Sequence, residues 1–388
     1  MRGGAIYILK NKLFTLTAAL MLGLTVPVAT INMSSQTTQA ATTSSTSSKN
    51  DMYTFIRSTL AKHHVRGSVV AVKDGKPQQS SYGYAWYGKR IGNGSSKVVY
   101  PTGSTQKVIT GAMIVQLMNE KKNTKQSFSQ NTKISRWYPY LRNAKNISVG
   151  NLLTHTSGIT ASDTEIDRGY NYSEANAINW VVNNVNAHTA GKVGSYFYNN
   201  TNYILLSGII RQLTGKSYES NFNSRVVKKL GLKNTYLYQD IPSTKTDPIS
   251  YYCNGGRNYQ NPNYVRRTLA SQLPGAGNMF TTPIEYYKIQ VGLSNGQILN
   301  KDDFNYLTHL KSRVTDYSGG VYIKKNGTLK AAYGNLHGTH FGMWFQLTTD
   351  NQNGIVMFLN QTNDNENDEK AAGYDILQHI KKNTFTRK

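Results

Sequence analysis

The sequence predicts an α/β (α+β) architecture: one antiparallel sheet flanked by terminal helices, plus an all-helical subdomain. Three observations predict it. Strand-like segments marked by turn residues occur near both ends of the chain, helical periodicity occurs outside them at both ends, and the long middle region, about residues 121–290, is helical in pattern and loop-rich. In chain order, "DMYTFIRSTLAKHH" (51–64) has apolar Met52, Phe55, Ile56 and Leu60 at helical spacing. Residues 67–90 read as two strands with Asp74-Gly75 at the turn. "VITGAMIVQLMNE" (108–120) is a mostly apolar helix, to be buried on most sides. In the middle region, "EANAINWVVNNV" and "NYILLSGIIRQLTGKSYESNFNSRVVKKL" carry the helical pattern, the latter punctuated at "TGKS". Thr282-Pro283 marks a helix start, with threonine as cap and proline at the first helical position. Beyond about 315, "GGVYIKKNGTLKAAYG" predicts a hairpin turning at Asn326-Gly327, and "FGMWFQLTTDNQNGIVMFLNQT" a second one. "DNENDEKAAGYDILQHIKKNT" ends the chain as a helix with acids first and lysines last, which complements the helix dipole. The acid run lacks the glycine that a calcium loop needs, so the dipole accounts for it. Strands at both ends around a helical insert place a ligand cleft between the two parts.

The chain has 388 residues, which suits one large domain or two small ones. Residues 1–40 read as an export signal: Arg2, Lys10 and Lys12 are basic, "LFTLTAALMLGLTVPVAT" is apolar, and Thr38 and Ala40 precede a cleavage point. The alternative is a retained membrane anchor, since the apolar run is long for a signal. Residues 41–51 read as a Ser/Thr-rich linker, and 52–385 as the folded domain. A lone cysteine, Cys253, excludes an internal disulfide, so an exported chain must rely on its core. The formal net charge is +24, and loss of the three basic residues in 1–40 leaves +21 (24 − 3). Outside a cell that charge points to anionic wall polymers and the membrane surface rather than to nucleic acid.

"PTGSTQK" (101–107) sets Ser104 and Lys107 three apart where a helix begins, hence on one face. Backbone N–H groups at a helix start can cap a serine or stabilise an oxyanion. Burial would favour the neutral lysine, which could then activate the hydroxyl. S-x-x-K alone is a weak signal. "SYFYNNTNYILLSG" adds Tyr198 and Asn200, two apart, ahead of another apolar helix. A phenol beside a lysine can relay a proton, and an amide can hold a carbonyl or orient the lysine.

Together "GSTQK", "NLLTHTSGI", "FYNNTNYILLSGIIRQLTGKSYESNF" and "GAGNMFTTP" resemble, in this order, the serine β-lactamase-like family of penicillin-binding D,D-peptidases, class C β-lactamases and related esterases. The resemblance covers about residues 52–383. It implies a β-lactamase/D,D-peptidase-like fold, Ser104 as acylated nucleophile, Lys107 as its base, Tyr198 as proton relay and Asn200 as a substrate contact, with no cofactor and no metal. The third motif departs from the family. Gly338 and Gly342 of "YGNLHGTHFGMWF" match its glycine spacing, which puts Leu336 at the usual cation position and His337 in the middle; a shifted register would put His337 in the first position but loses the glycine match. In the glycine-matched register the Thr339 N–H would pair with that of Ser104 as the oxyanion hole, and His337, Gly338 and Thr339 would line the substrate site. His155 is expected to be structural, and His337 with His340 lacks a third metal ligand.

A missing cation disfavours substrates with a free carboxylate. The pattern is most similar to the branch that removes D-alanine esters from teichoic acids, polyanions that a basic protein attracts. The expectation is an exported, envelope-associated serine hydrolase acting on such esters. The alternatives are a D,D-carboxypeptidase acting on peptidoglycan stem peptides and a non-catalytic module that binds wall polymer.

Overall fold

A computed structural model describes residues 52–161, 163–363 and 366–382; the expected export signal and linker lie outside the described residues. The centre is a mainly antiparallel sheet. Its strands run in the spatial order Tyr317–Ser318, Val321–Lys324, Leu329–Gly334, Gly342–Thr348, Gly354–Thr362, Arg66–Lys73 and Lys76–Tyr82. The first and last strands to be made in this order of the chain thus meet in the middle, with Val69 opposite Met357. The Asp74-Gly75 turn (φ 47° and 72°) closes the first hairpin, as the sequence predicts.

Both central strands are apolar on both faces, and the two faces serve different cores. Val69, Ala71, Ile355, Met357 and Leu359 pack on one side with Met52, Ile56 and Leu60 of the N-terminal helix (Met52–Lys62) and Ala372, Ile376 and Ile380 of the C-terminal helix (Glu366–Lys381). Val70, Val72, Val356 and Phe358 face the other way, into the larger core shared with the rest of the molecule. This is why the sequence runs "SVVAVK" and "GIVMFLNQT" rather than alternating with polar residues. Each buried aliphatic side chain contributes roughly 1.5–3 kcal/mol.

In the larger core the helix Lys107–Lys121 is enclosed from Lys107 to Met118, and packs against the helix Asn200–Thr214. The latter is capped by the Asn199 side chain, which accepts from the Thr201 N–H, and stopped by Gly215 at φ 67°. Thr282 caps the following Pro283–Gly292 helix by accepting from the Glu285 N–H.

The middle region is not all helical. Ser250–Asn254 and Arg257–Asn263 form a hairpin turning at Gly255-Gly256, and Tyr251 and Tyr252 pair in parallel with Gln361 and Thr362 at the end of the central strand. Met279–Thr281 pairs with both Tyr100–Pro101 and Tyr236–Leu237. The strands of the hairpin pair with register shifts and the other three span two or three residues each, so none makes an alternation long and regular enough to stand out. Among the described residues no helix is long and apolar enough to cross a membrane.

Candidate active site

The nucleophile turn is held from three sides. The Thr102 N–H and hydroxyl both donate to the Met279 carbonyl, at 2.9 and 3.0 Å. Gly103 takes φ 48°, and a side chain there would meet the backbone of Asn335. Gln106 donates to Asn278 Oδ1 at 2.9 Å and accepts from the Met279 N–H at 2.8 Å. Residues Gly103–Gln106 form a 3-10 turn that leads directly into the helix at Lys107. Ser104 therefore sits at a helix start as expected, but it is not a cap: its hydroxyl meets Lys107 instead. Every residue from Val98 to Met118 is buried except Ser104, which is partly exposed.

Lys107 is fully buried, with Nζ 2.8 Å from Ser104 Oγ, 2.7 Å from Asn200 Oδ1 and 3.0 Å from the Ala276 carbonyl. Burial lowers its pKa to about 7, against the opposing pull of the Glu165 carboxylate. A neutral amine has two N–H donors and one lone pair. Asn200 and Ala276 offer only acceptors and take the two donors, which leaves the lone pair for the Ser104 hydroxyl. The arrangement can remove the serine proton.

The direction of the Asn200 amide follows from its other end, where Nδ2 donates to Glu165 Oε1 at 2.5 Å. Glu165 Oε2 also accepts from the His337 N–H at 3.3 Å, so one carboxylate ties the lysine's partner to the segment after the Leu329–Gly334 strand. Tyr198 lies with its ring 5.0 Å from Lys107 Nζ. Burial holds its pKa well above the ordinary value, and a hydrogen bond to Ser104 draws it partly back. A neutral phenol in this position can donate a proton to a group bound at Ser104.

His155 supports this cluster from behind. It is buried, its ring is 4.2 Å from that of Tyr198, and its Nδ1 accepts from the Asn199 N–H at 3.2 Å and lies 3.0 Å from Asn202 Nδ2. Burial and the charge on Lys107 hold its pKa well below the usual histidine range. Nε2 therefore carries the proton and donates to the Tyr317 hydroxyl at 3.2 Å.

The third motif differs from the register read in the sequence. The glycine packed on the nucleophile is Gly334: a Cβ there would stand 2.4 Å from the Thr102 carbonyl and 3.0 Å from Ser104 N. Asn335, exposed and uncharged, follows it with its backbone against Gly103, whereas Leu336, read at the cation position, is buried. Gly338 lies in a turn past the strand at φ 74°, and the Thr339 N–H donates to the Leu336 carbonyl at 3.1 Å, which removes it from an oxyanion role. The glycine spacing misled because this segment holds a turn between strands where an extended register was assumed. His337 is exposed, and the His340 ring packs tilted against that of Tyr252, centroids 4.8 Å apart. Among the described residues no three His, Cys, Asp or Glu side chains converge as metal ligands.

Sequence reading missed Glu165, the Ala276 carbonyl and Gly334. Ala276 lies inside the quoted "GAGNMFTTP", but a backbone acceptor has no residue signature. Glu165 lies in "SDTEID", an aperiodic loop with nothing to set it apart from its neighbours.

Comparison with known proteins gives the family and the fold. The chain is 28% identical over 339 residues to the teichoic acid D-alanine hydrolase of Staphylococcus aureus, covering 86% of this chain and 80% of that one. The crystal structure of FmtA from Staphylococcus aureus superposes with a TM-score of 0.68 at 26% identity, over 85% of this chain and 89% of that one. D-amino acid amidase from Ochrobactrum anthropi SV3, complexed with L-phenylalanine, shares the fold with a TM-score of 0.70 at 19% identity, over 86% and 99% of the two chains. The family model described as Beta-lactamase matches residues 53–380, which takes in both halves of the sheet and every residue around Ser104, and the chain therefore belongs to the beta-lactamase family.

Proposed function

We propose that this protein is an exported serine esterase that releases D-alanine from teichoic acids at the cell envelope through an acyl-enzyme. The observation that carries the reading is the contact between Ser104 and a buried Lys107 whose two N–H groups are already engaged. Lys107 takes the Ser104 proton as Oγ attacks the D-alanyl carbonyl. Tyr198 delivers its proton to the departing polymer oxygen as the ester bond breaks, and recovers one from the Lys107 ammonium. Water then attacks the D-alanyl-enzyme, freeing D-alanine and restoring the Ser104 hydroxyl. The Ser104 N–H is an oxyanion donor, and its partner comes from the segment that follows Gly334. No metal or cofactor has a step in this scheme.

Three things favour the ester of a polyanion. Asn335, rather than a cation, stands beside the nucleophile turn, which disfavours a substrate carboxylate. The net charge, +24 for the whole chain and +21 (24 − 3) without residues 1–40, favours a polyanionic phosphodiester partner. The Staphylococcus aureus relative is a teichoic acid D-alanine hydrolase. The test is release of free D-alanine from D-alanylated teichoic acid by purified protein. Release that disappears in Ser104→Ala is expected. Equal release by that variant, or none by the wild type, refutes the esterase, and loss of terminal D-alanine from a stem pentapeptide instead would make it a carboxypeptidase.

A further inference from the structure

Two hairpins away from Ser104 build a second surface. Tyr84–Trp86 pairs with Ile91–Gly92, and the turn between them exposes Tyr87, Lys89 and Arg90. The second hairpin, Ser250–Asn254 with Arg257–Asn263, faces it. Tyrosine hydroxyls join the two: the Tyr87 N–H donates to Tyr251 Oη at 2.9 Å, and the Tyr84 N–H to Tyr259 Oη at 3.1 Å. Between them lies a groove of about 320 Å³, whose wall includes Trp86, Tyr87, Tyr251, Tyr259 and Tyr264. The Tyr87 and Tyr259 rings stack at 4.4 Å, and Tyr259 holds φ 60°, a conformation that costs a bulky residue energy and needs a structural reason.

The charge here has one sign. Lys89 Nζ sits 3.7 Å from the Trp86 ring centroid and the Arg90 guanidinium 4.4 Å from that of Tyr87. Arg257 is exposed on the second hairpin. Residues 82–95 and 249–264 contain no Asp or Glu at all. Stacked cations on an aromatic floor suit a ligand with C–H faces and repeated anionic groups.

The groove is also joined to the catalytic cluster. Asn263, at its end, donates through Nδ2 to the Gly338 carbonyl at 2.5 Å. Gly338 follows Gly334 and Asn335, which pack on the nucleophile turn.

We infer that this groove binds a linear polyol-phosphate chain, with the polyol carbons over the tyrosine rings and the phosphates at Lys89, Arg90 and Arg257. It would hold the polymer while one of its esters reaches Ser104. The inference rests on the polymer-esterase reading, but the site it names is separate from the reacting atoms.

The test uses Ser104→Ala protein, which holds polymer without turning it over, and a glycerol-phosphate oligomer free of D-alanine, with binding measured by calorimetry. Arg90→Ala and Tyr264→Ala are made separately in that background; both side chains are exposed, and unchanged melting shows that the fold is intact. Each is expected to weaken binding about tenfold, or ~1.4 kcal/mol, and added salt to weaken the parent. Oligomer binding by both variants equal to the parent's overturns the proposal, as does a parent that does not bind, or that binds independently of salt. Release of D-alanine by the wild type, measured alongside, separates the two claims. Release with unaltered variant binding removes the groove and leaves the esterase; binding lost in the variants without any release supports the groove and removes the esterase.

Discussion

The three residues that read as a nucleophile, a base and a relay depend on a fourth, Glu165, for their geometry. Glu165 turns the Asn200 amide so that oxygen faces Lys107, and its charge raises the lysine's pKa against the lowering by burial. With that pKa at about 7, kcat/KM for an ester substrate should rise with pH through about 7 and level off above it, because the neutral amine is the working form. Lys107→Ala should cost about 10²–10⁴-fold in kcat/KM. Glu165→Gln removes a charge that favours the ammonium, so the acid limb of the same profile should move to lower pH. A limb that stays in place in Glu165→Gln would show that the carboxylate acts only on geometry. His155, expected to be structural, is held neutral by burial and packed behind Tyr198.

At the scale of elements, periodicity worked where a single face or a long apolar run decided the packing. The terminal helices were legible by their apolar period, the helix after Ser104 by its long apolar run, and the first hairpin by an apolar run ending at the Asp74-Gly75 turn signal. The hairpin 250–263 was not: its strands are bulged, and its first strand is held by a parallel pairing to residues more than 100 positions away. The end of the Leu329–Gly334 strand was legible as a strand, but not as the wall of the site. Its Gly334 leaves no room for a side chain against Thr102 and Ser104. Gly334→Ala should therefore shift the nucleophile turn and lower kcat for ester hydrolysis by tenfold or more, on the order of the 1.4 kcal/mol that such a factor represents. Slower labelling of Ser104 by a fluorophosphonate should accompany it. Ile56→Ala, in the cluster under the terminal helices, should lower stability by about 2–5 kcal/mol in denaturant titration and leave the pH profile unaltered.

Across the whole molecule, two buried lysines link stability to pH. Lys330 is as enclosed as Lys107, with Nζ donating to the Gln290 carbonyl at 3.2 Å, and burial lowers its pKa to about 7 as well. The unfolded chain keeps both protons up to the ordinary lysine value. Between pH 7 and about 10 it therefore binds more protons than the folded chain, and stability rises with pH. Above that, buried tyrosines such as Tyr218, pushed up to about 12, ionise first in the unfolded chain and reverse the trend. Thermal melting should accordingly show Tm increasing from pH 6 to 9. Lys330→Met should raise Tm at pH 6 and do so less at pH 9, since the cost of burying the ammonium is largest where it is charged.

By itself, the sequence determined the α+β class, the order of the main elements and the residues able to react, because periodicity and residue type are local properties of the chain. It also carried the one-signed charge of the two hairpins and the excess of cations over the whole chain. Tertiary structure alone decided which groups meet Ser104. The Ala276 carbonyl, Glu165 and Gly334 are distant along the chain, and their part in the site depends on direction and distance, which residue type does not encode. The lysine's readiness to act as a base has the same origin: its pKa is set by burial, and burial exists only once the helix, the Asn200 segment and the 276 turn have closed around it.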